Sequence, residues 1–360
     1  MKLTAKLKLI PSEEQRPLLH NTLQRANAAC NTISELAWTE KTFNKLKLQK
    51  CCYYDIRETF GLSAQMTIRA LGKVADSYKK DKATKRQFKK HGAFPYDARL
   101  LSYDVEQQTV SIRTLAGRQQ MAFEAGQHQL DLLQYQAGES KLAFIRGHFY
   151  LLATCDVPNE APMLTDDFMG VDMGIVNLAT TNDGERYSGK HLNRVRNRNL
   201  RLRRKLQKKG TKSAKRLLKK RSGREKRFAQ DVNHCISKAI VEKAKRTGHG
   251  IGLEDLTGIR ERVRLRKSQR TQLHSWNFAD LGHKILYKAF RKGVPVRLVD
   301  PAYTSQQCSC CGHTARQNRP NQSTFQCTSC GFSAHADVNA AINIGRRASV
   351  NAPYAGTLSV

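Results

Sequence analysis

Acidic residues are scarce in this chain. Against 63 Lys+Arg there are only 30 Asp+Glu in 360 residues, which gives a formal net charge of +33 and a pI near 10.1. The sequence also lacks any uninterrupted apolar run approaching the ~18 residues a membrane span needs, which excludes a helical membrane protein. Its first residues, Met1-Lys2-Leu3-Thr4-Ala5-Lys6-Leu7-Lys8, alternate charge with apolar side chains and hold no apolar core of a secretory signal. The expected location is therefore intracellular. Lipidation motifs are missing, and with only two Trp no basic amphipathic helix carries a Trp-rich apolar face, so an anionic membrane surface is a poor partner. No repeat of fixed period is visible either. Hydrophobic residues, by contrast, make up 39%, too many for a disordered tail and enough for two or three domains. A cation surplus of this size on a folding chain calls for a polyanion, because phosphates neutralise it and release their own counterions. Nucleic acid is the expected partner, and a membrane is not.

The pattern along the chain divides it. An opening strand ends at Pro11, and Ser12-Glu13-Glu14-Gln15 is a capping box leading a helix with Leu19, Leu23, Ala26, Cys30 and Ile33 on one stripe. A second helical pattern begins near Ser63, with Ile68, Leu71, Ala75 and Tyr78, and gives way to a run from Lys79 to Lys90 in which seven of twelve residues are Lys or Arg. Short β-like runs follow: 101–105, 110–115, and a hairpin of 141–145 with 150–157. These predict a small β domain entered twice by the chain, at 1–10 and 91–158, with a helical region over 11–90 and a linker over 159–167.

The second half reads as one αβ unit. Strands are expected at 168–175, 178–181, 185–188, 250–256 and 294–299, with a turn at Asn182-Asp183-Gly184. Core-facing helices are expected around Phe228, Val232, Ile236 and Ile240, and around Phe278, Leu281, Ile285 and Ala289. The succession β-β-β-α-β-α-β is that of an RNase H-like domain.

In such a sheet the first strand lies beside the strand that follows the first helix, which makes neighbours of Asp172 in Gly170-Val171-Asp172-Met173-Gly174 and Glu254 in Gly252-Leu253-Glu254-Asp255-Leu256. A carboxylate in an apolar strand costs several kcal/mol of desolvation unless a cation or donor compensates. Asp337, in His335-Ala336-Asp337-Val338-Asn339-Ala340-Ala341-Ile342, is a third candidate. Three acids from separate elements can hold two Mg²⁺ ions that activate a water and stabilise a leaving phosphodiester oxygen. Each acid alone has an ordinary reading: Asp172 as a structural acid and Asp337 as a helix N-cap, while Asp300, after the last strand, is a possible fourth acid or simply the start of an Asp-Pro turn. Glu254 and Asp255 point to opposite faces of a strand, so only one can join the cluster, and their leucine neighbours do not say which.

Cys308-x2-Cys311 and Cys327-x2-Cys330 stand fifteen residues apart, each pair followed by glycine, and form two knuckles with zinc-ligand spacing. A pair of disulfides is the alternative, and an intracellular location argues against it. Cys310 sits inside the first knuckle as a bystander; Cys30, Cys51, Cys52, Cys155 and Cys235 show no partner spacing. Between Lys190 and Arg227, 19 of 38 residues are Lys or Arg and only Glu225 is acidic. Arg201, Arg203, Arg204, Lys205, Lys208 and Lys209 in that run are candidate phosphate contacts, as are Arg260 and Arg264 in the basic stretch after the Glu254 strand.

Taken together with Tyr303-Thr304-Ser305-Gln306-Gln307-Cys308-Ser309-Cys310-Cys311-Gly312, these segments resemble TnpB, the RNA-guided DNA endonuclease family of bacterial insertion sequences, related to type V CRISPR effectors. The resemblance spans residues 166 to 347. It implies a RuvC-type, RNase H-like nuclease domain over 168–302 and 332–347, an inserted zinc ribbon over 303–331, a β-barrel wedge domain with an inserted helical recognition domain upstream, and a flexible tail over 348–360. It implies Asp172, Glu254 and Asp337 as catalytic Mg²⁺ ligands, which selects Glu254 over Asp255, and Zn²⁺ on Cys308, Cys311, Cys327 and Cys330. The implied activity is cleavage of double-stranded DNA beside a short transposon-associated motif, chosen by a guide RNA from the element's own end. Acting at the bacterial nucleoid is the corresponding location. Tyr53, Tyr54, Gln65 and Thr67, at the start of the second helical pattern, are candidate readers of the motif. A guide-directed repressor that does not cut and a strand-transfer transposase are the competing readings.

Overall fold

Ser12 and Gln15 close the expected capping box: Ser12 Oγ accepts the Gln15 amide at 3.2 Å while Gln15 Oε1 accepts the Ser12 amide at 3.1 Å. The helix α1 (Gln15–Thr39) grows from that box. The computed structural model describes residues 1–256 and 278–350, and the chain divides into two units, Met1–Pro158 and Asn159–Val360.

In the first unit, α1 is followed by α2 (Lys45–Phe60), capped by Asn44, and α3 (Ala64–Lys80), capped by Ser63. Two helical patterns were expected here and three helices form. α2 escapes a reading of periodicity because it buries only Leu48, Cys52 and Ile56, a stripe one residue wide among charged neighbours. Tyr53 and Tyr54 belong to α2, not to the helix that carries Gln65 and Thr67. The strands β1 (Lys2–Ile10), β2 (Phe94–Tyr96), β3 (Leu101–Asp104), β4 (Thr109–Thr114), β5 (Gly117–Glu124), β6 (Gln136–Ile145) and β7 (His148–Asp156) form one antiparallel sheet in the order β2-β6-β7-β1-β5-β4-β3. A short helix, α4 (Gln127–Leu133), joins β5 to β6. The sheet edges approach each other: Tyr103 Oη on β3 donates to Ser140 Oγ on β6 at 2.8 Å, and Tyr96 Oη on β2 donates to the Arg113 carbonyl on β4 at 3.1 Å. The sheet is nearly closed. Leu19 and Leu23 of α1, Leu71 of α3, and Leu7, Phe149 and Leu151 of the sheet lie in one continuous buried cluster.

In the second unit, β8 (Phe168–Asp172), β9 (Asn177–Thr181), β10 (Arg186–Ser188), β11 (Gly250–Glu254) and β12 (Val296–Val299) form a sheet in the order β10-β9-β8-β11-β12. β8, β9 and β10 are an antiparallel meander, whereas β8, β11 and β12 run parallel, with β8 beside β11. That is the neighbour relationship the order of elements predicts. The basic stretch forms α5 (Lys190–Lys209), α6 (Lys212–Arg221) and α7 (Arg224–Thr247), broken at Gly210 and Gly223, both at positive φ. Ile240, Val241 and Ala244 of α7 join Leu281, Ile285 and Ala289 of α8 (Phe278–Arg291) in a core with Val171 and Leu253 of the sheet. A final helix, α9 (Ala336–Val350), packs against β8, β11 and β12, with Ile344 and Ala348 buried beside Phe168 and Val299.

The expected linker and the first residues of the expected tail make ordered contacts. Within 159–167 the Glu160 amide donates to the Arg291 carbonyl at 2.9 Å and the Met163 amide to the Gly293 carbonyl at 2.7 Å, while the Glu160 carboxylate meets Lys292 and Lys245. Ala348, Ser349 and Val350 are the last residues of α9, and 351–360 lie outside the described residues. Among the described residues no helix is long and apolar enough to cross a membrane.

Candidate active site

β8 and β11 are both buried because helices cover both faces of the parallel part of the sheet, which explains their apolar sequences FMGVD and GIGLE. The parallel register pairs Val171 with Leu253, so the next residues, Asp172 and Glu254, end their strands side by side. Asp337 arrives from elsewhere, in the first turn of α9.

Asp172 feels both of the other carboxylates. Burial, and then the charges of Glu254 and Asp337, push the Asp172 carboxyl up to about 8. Burial also raises Glu254, opposed by a hydrogen bond in which Thr304 Oγ1 donates to Glu254 Oε1 at 2.5 Å. Asp337 Oδ2 accepts from Asn177 Nδ2 on β9 at 2.9 Å, and its Oδ1 lies 3.5 Å from Arg319 Nη2. Arg319 holds down the protonation of both Asp172 and Glu254 as well, so one guanidinium serves three acids. Among the described residues the acids are not drawn as tightly as the four thiols, which alone form a set of His, Cys, Asp or Glu ligand atoms within 4.8 Å of one another. Arg347 favours the ionised form of Glu254 as well, yet Asp172 and Glu254 both stay raised, so the two guanidinium groups compensate the buried charges only in part. An all-oxygen donor set, buried and short of positive charge, suits a hard divalent cation such as Mg²⁺.

The loop that brings Thr304 to Glu254 is clamped by α9. Asn343 Nδ2 donates to the carbonyls of Thr304 and Gln307 at 3.0 and 2.7 Å, and Asn339 bridges the Gln307 carbonyl and the Ser309 amide. Arg347 Nη1 donates to the carbonyls of Asp300 and Ala302, both at 2.8 Å. Asn339, Asn343 and Arg347 recur at four-residue intervals and so share one helix face, the face that also presents the loop to Glu254. Sequence reading missed them, together with Thr304 and Asn177, and offers Arg319 only as a phosphate contact on the arms of the cysteine ribbon, alongside Arg316 and His313. The i, i+4 spacing of buried Asn residues in an otherwise apolar run was the available signal for two of them; nothing local ties Arg319 to the acids.

The four cysteines converge as their spacing predicts. Cys308 and Cys330 sulfurs lie 3.8 Å apart and those of Cys311 and Cys327 3.6 Å apart, close to the ~3.8 Å edge of a tetrahedron with 2.3 Å Zn–S bonds. Amides of Cys330 and Ser329 donate to Cys327 Sγ and bring that thiol down to about 6, which favours the thiolate a metal needs. A hairpin of β13 (Thr324–Gln326) and β14 (Ser333–His335) carries the second knuckle and leads directly into α9 and Asp337.

Of the other predicted positions, Arg201, Arg203, Arg204, Lys205, Lys208 and Lys209 are all exposed on α5, with Arg203 paired to Glu225 at 3.2 Å. α5 buries only Leu192. Arg260 and Arg264 fall outside the described residues. On α2, Tyr54 is exposed and stands edge-on to Tyr53, with ring centroids 5.1 Å apart. On α3, Gln65 bonds the Asp97 carboxylate, and Thr67 is fully buried with its hydroxyl on the Ser63 carbonyl, which leaves Thr67 no surface to offer a ligand. Asp300 accepts the Ala302 amide at 2.9 Å in the expected Asp-Pro turn. Asp255 donates its own amide to the Val299 carbonyl.

Residues 153–257 match the family model described as a probable transposase, OrfB_IS605, and residues 278–344 match the Cas12f1-like TNB domain. The chain is 44% identical over 118 residues to the CRISPR-associated endodeoxyribonuclease Cas12f1 of Sulfoacidibacillus thermotolerans, covering 32% of this chain and 26% of that protein. It is 39% identical over 134 residues to a TnpB-like protein of Methanocaldococcus jannaschii, covering 37% and 48%. InsQ of Escherichia coli (strain K12), named for RNA-guided DNA endonuclease activity, is 30% identical over 197 residues, covering 49% and 48%. The matched stretch thus spans between about a quarter and a half of these relatives' own length. A solved Cas12f1–sgRNA–target DNA complex shares the fold over 93% of this chain and 83% of its own, with a TM-score of 0.63 at 16% identity.

Proposed function

We propose that this chain, a relative of the TnpB-like and Cas12f proteins, is an RNA-guided, metal-dependent endonuclease that cleaves double-stranded DNA. The observation that carries the reading is that Glu254, on the neighbouring parallel strand, and Asp337, on a distant helix, both oppose ionisation of the buried Asp172 carboxyl. An excess of buried carboxylate has little structural value and suits cation binding.

In this reading residues 168–302 and 332–347 are a RuvC-like nuclease domain, 303–331 a zinc ribbon, the nearly closed sheet a wedge domain and α1–α3 a recognition domain. Mg²⁺ bound by Asp172, Glu254 and Asp337 would supply the charge that activates a water and stabilises the leaving oxygen. The protein's own contribution is positional. Asn177 aims Asp337, Thr304 aims Glu254, and Arg319 offsets the acids' mutual repulsion until phosphate and cation arrive. Zn²⁺ on the four cysteines would hold the loop that Thr304 begins. The exposed cations along α5 would meet a phosphate backbone. Guide pairing would select the sequence, and RNA from the encoding element's own end would be the guide, at the bacterial nucleoid.

The test is to express the chain with its flanking DNA, sequence the RNA that copurifies, and assay cleavage of a matching duplex. A discrete RNA with a variable end and Mg²⁺-dependent cutting are expected, and Asp172→Ala should abolish cutting while retaining binding. Binding by the wild type with no cutting would turn the reading into that of a repressor; joined strands in place of free ends would make it a transposase.

A further inference from the structure

Tyr303 has a feature that its role in the loop does not account for. It adopts φ +61°, the left-handed region that bulky side chains avoid, and it is a non-glycine residue. The backbone on both sides is held: Arg347 bonds the Ala302 carbonyl, Asn343 bonds the Thr304 carbonyl, and the Tyr303 carbonyl accepts the amides of Gln306 and Gln307, both at 2.9 Å. The ring is not. It is 64% exposed and makes no hydrogen bond, ion pair or ring contact among the described residues. A glycine would satisfy every backbone bond of this turn without strain. Strain maintained for a side chain that the fold does not use points to a ligand outside the fold.

What that ligand is follows from the next residue. Thr304 is buried, with its hydroxyl on Glu254, so Tyr303 stands one residue from the carboxylate pocket at its solvent side. A tyrosine ring reaches several ångströms from its Cα, comparable to the distance from a phosphate to its own base. We propose that Tyr303 stacks on an unpaired nucleobase of the DNA strand whose phosphate enters the pocket and so sets which phosphodiester faces the acids. Stacking suits a site that must accept any sequence, since every base has a π-face. The inference rests on the nuclease reading and adds a substrate-binding residue to it; Tyr303 touches the substrate's base and leaves the reacting atoms to the acids.

The test uses the RNA-loaded protein with Tyr303→Phe and Tyr303→Gly. Phe keeps the ring, whereas Gly removes it together with the strain. Tyr303→Phe should cleave as the wild type does. Tyr303→Gly should raise KM by between about fivefold and a hundredfold, the range that losing one base–aromatic stack implies, shift the cut position, and raise the melting temperature. A single-stranded DNA oligonucleotide carrying 2-aminopurine should be quenched by the Asp172→Ala protein and left bright by the double variant that adds Tyr303→Gly. Unchanged KM, cut position and quenching in Tyr303→Gly would overturn the inference while leaving the nuclease reading intact. A wild-type protein that cuts nothing, yet quenches through Tyr303, would overturn that reading and keep the stacking.

Discussion

Gly170 and Gly345 meet backbone to backbone: a Cβ built on Gly170 would stand 2.9 Å from Gly345 Cα, and one built on Gly345 would stand 2.8 Å from the Phe168 carbonyl oxygen. β8 and α9 approach this closely only because neither residue has a side chain there, and Asp172 and Asp337 lie on these two elements. Gly170→Ala should therefore destabilise the second unit by about 1–3 kcal/mol, the usual cost of overpacking, and reduce cleavage by more than that loss explains, because the carboxylates are pushed apart. Denaturant unfolding alongside single-turnover cleavage separates the two effects.

Thr304→Val keeps the shape and deletes the hydroxyl that donates to Glu254. With the carboxylate free to rotate, Mg²⁺ affinity or cleavage should fall roughly 10- to 100-fold, as for other partners of metal-binding groups. A Mg²⁺ titration of the cleavage rate reads it; an unchanged curve would remove Thr304 from the site.

Asp172 has a directional pH signature. Its folded carboxyl titrates near 8 against an ordinary 3.8, so folding favours the protonated form. The stability this represents is complete below the ordinary carboxylate range and is lost as pH rises through about 8. In protein dialysed free of Mg²⁺ but retaining Zn²⁺, the melting temperature should fall between pH 5 and 8, and Asp172→Asn should flatten that slope. Added Mg²⁺ should stabilise the wild type more at pH 8 than at pH 5, because it binds the ionised form.

Arg319 lowers the protonation of both Asp172 and Glu254 while pairing with Asp337. Arg319→Gln should move the acidic limb of the pH–rate profile upward, since the acids then ionise later. An acidic limb at the same pH would exclude this electrostatic role.

Cys327→Ser should release zinc, measurable by elemental analysis, and abolish cleavage, because the ribbon leads into Asp337 through β14. Helical circular dichroism from α5 to α7 should persist, as those helices take no part in the thiol cluster.

Much of this architecture is local chemistry. The Ser12–Gln15 box, the alternation of β1, the apolar strands FMGVD and GIGLE and the CxxC pairs each depend on neighbours within a few residues, so their elements and candidate ligands are legible one segment at a time. α2 is not, because its charged face outweighs a three-residue apolar stripe and only packing against α1 and α3 gives it a core. The choice of partners for each acid is also a matter of folding. Arg319 lies eighteen residues before Asp337, Asn177 lies 160 before it, and Thr304 fifty after Glu254. The chain order supplies the carboxylates and thiols; the crossing of β8 with α9 at two glycines, and the clamp of Asn339, Asn343 and Arg347 on the loop, decide which charges share a pocket, since Coulomb and hydrogen-bond energies depend on distance in space and not on distance along the chain.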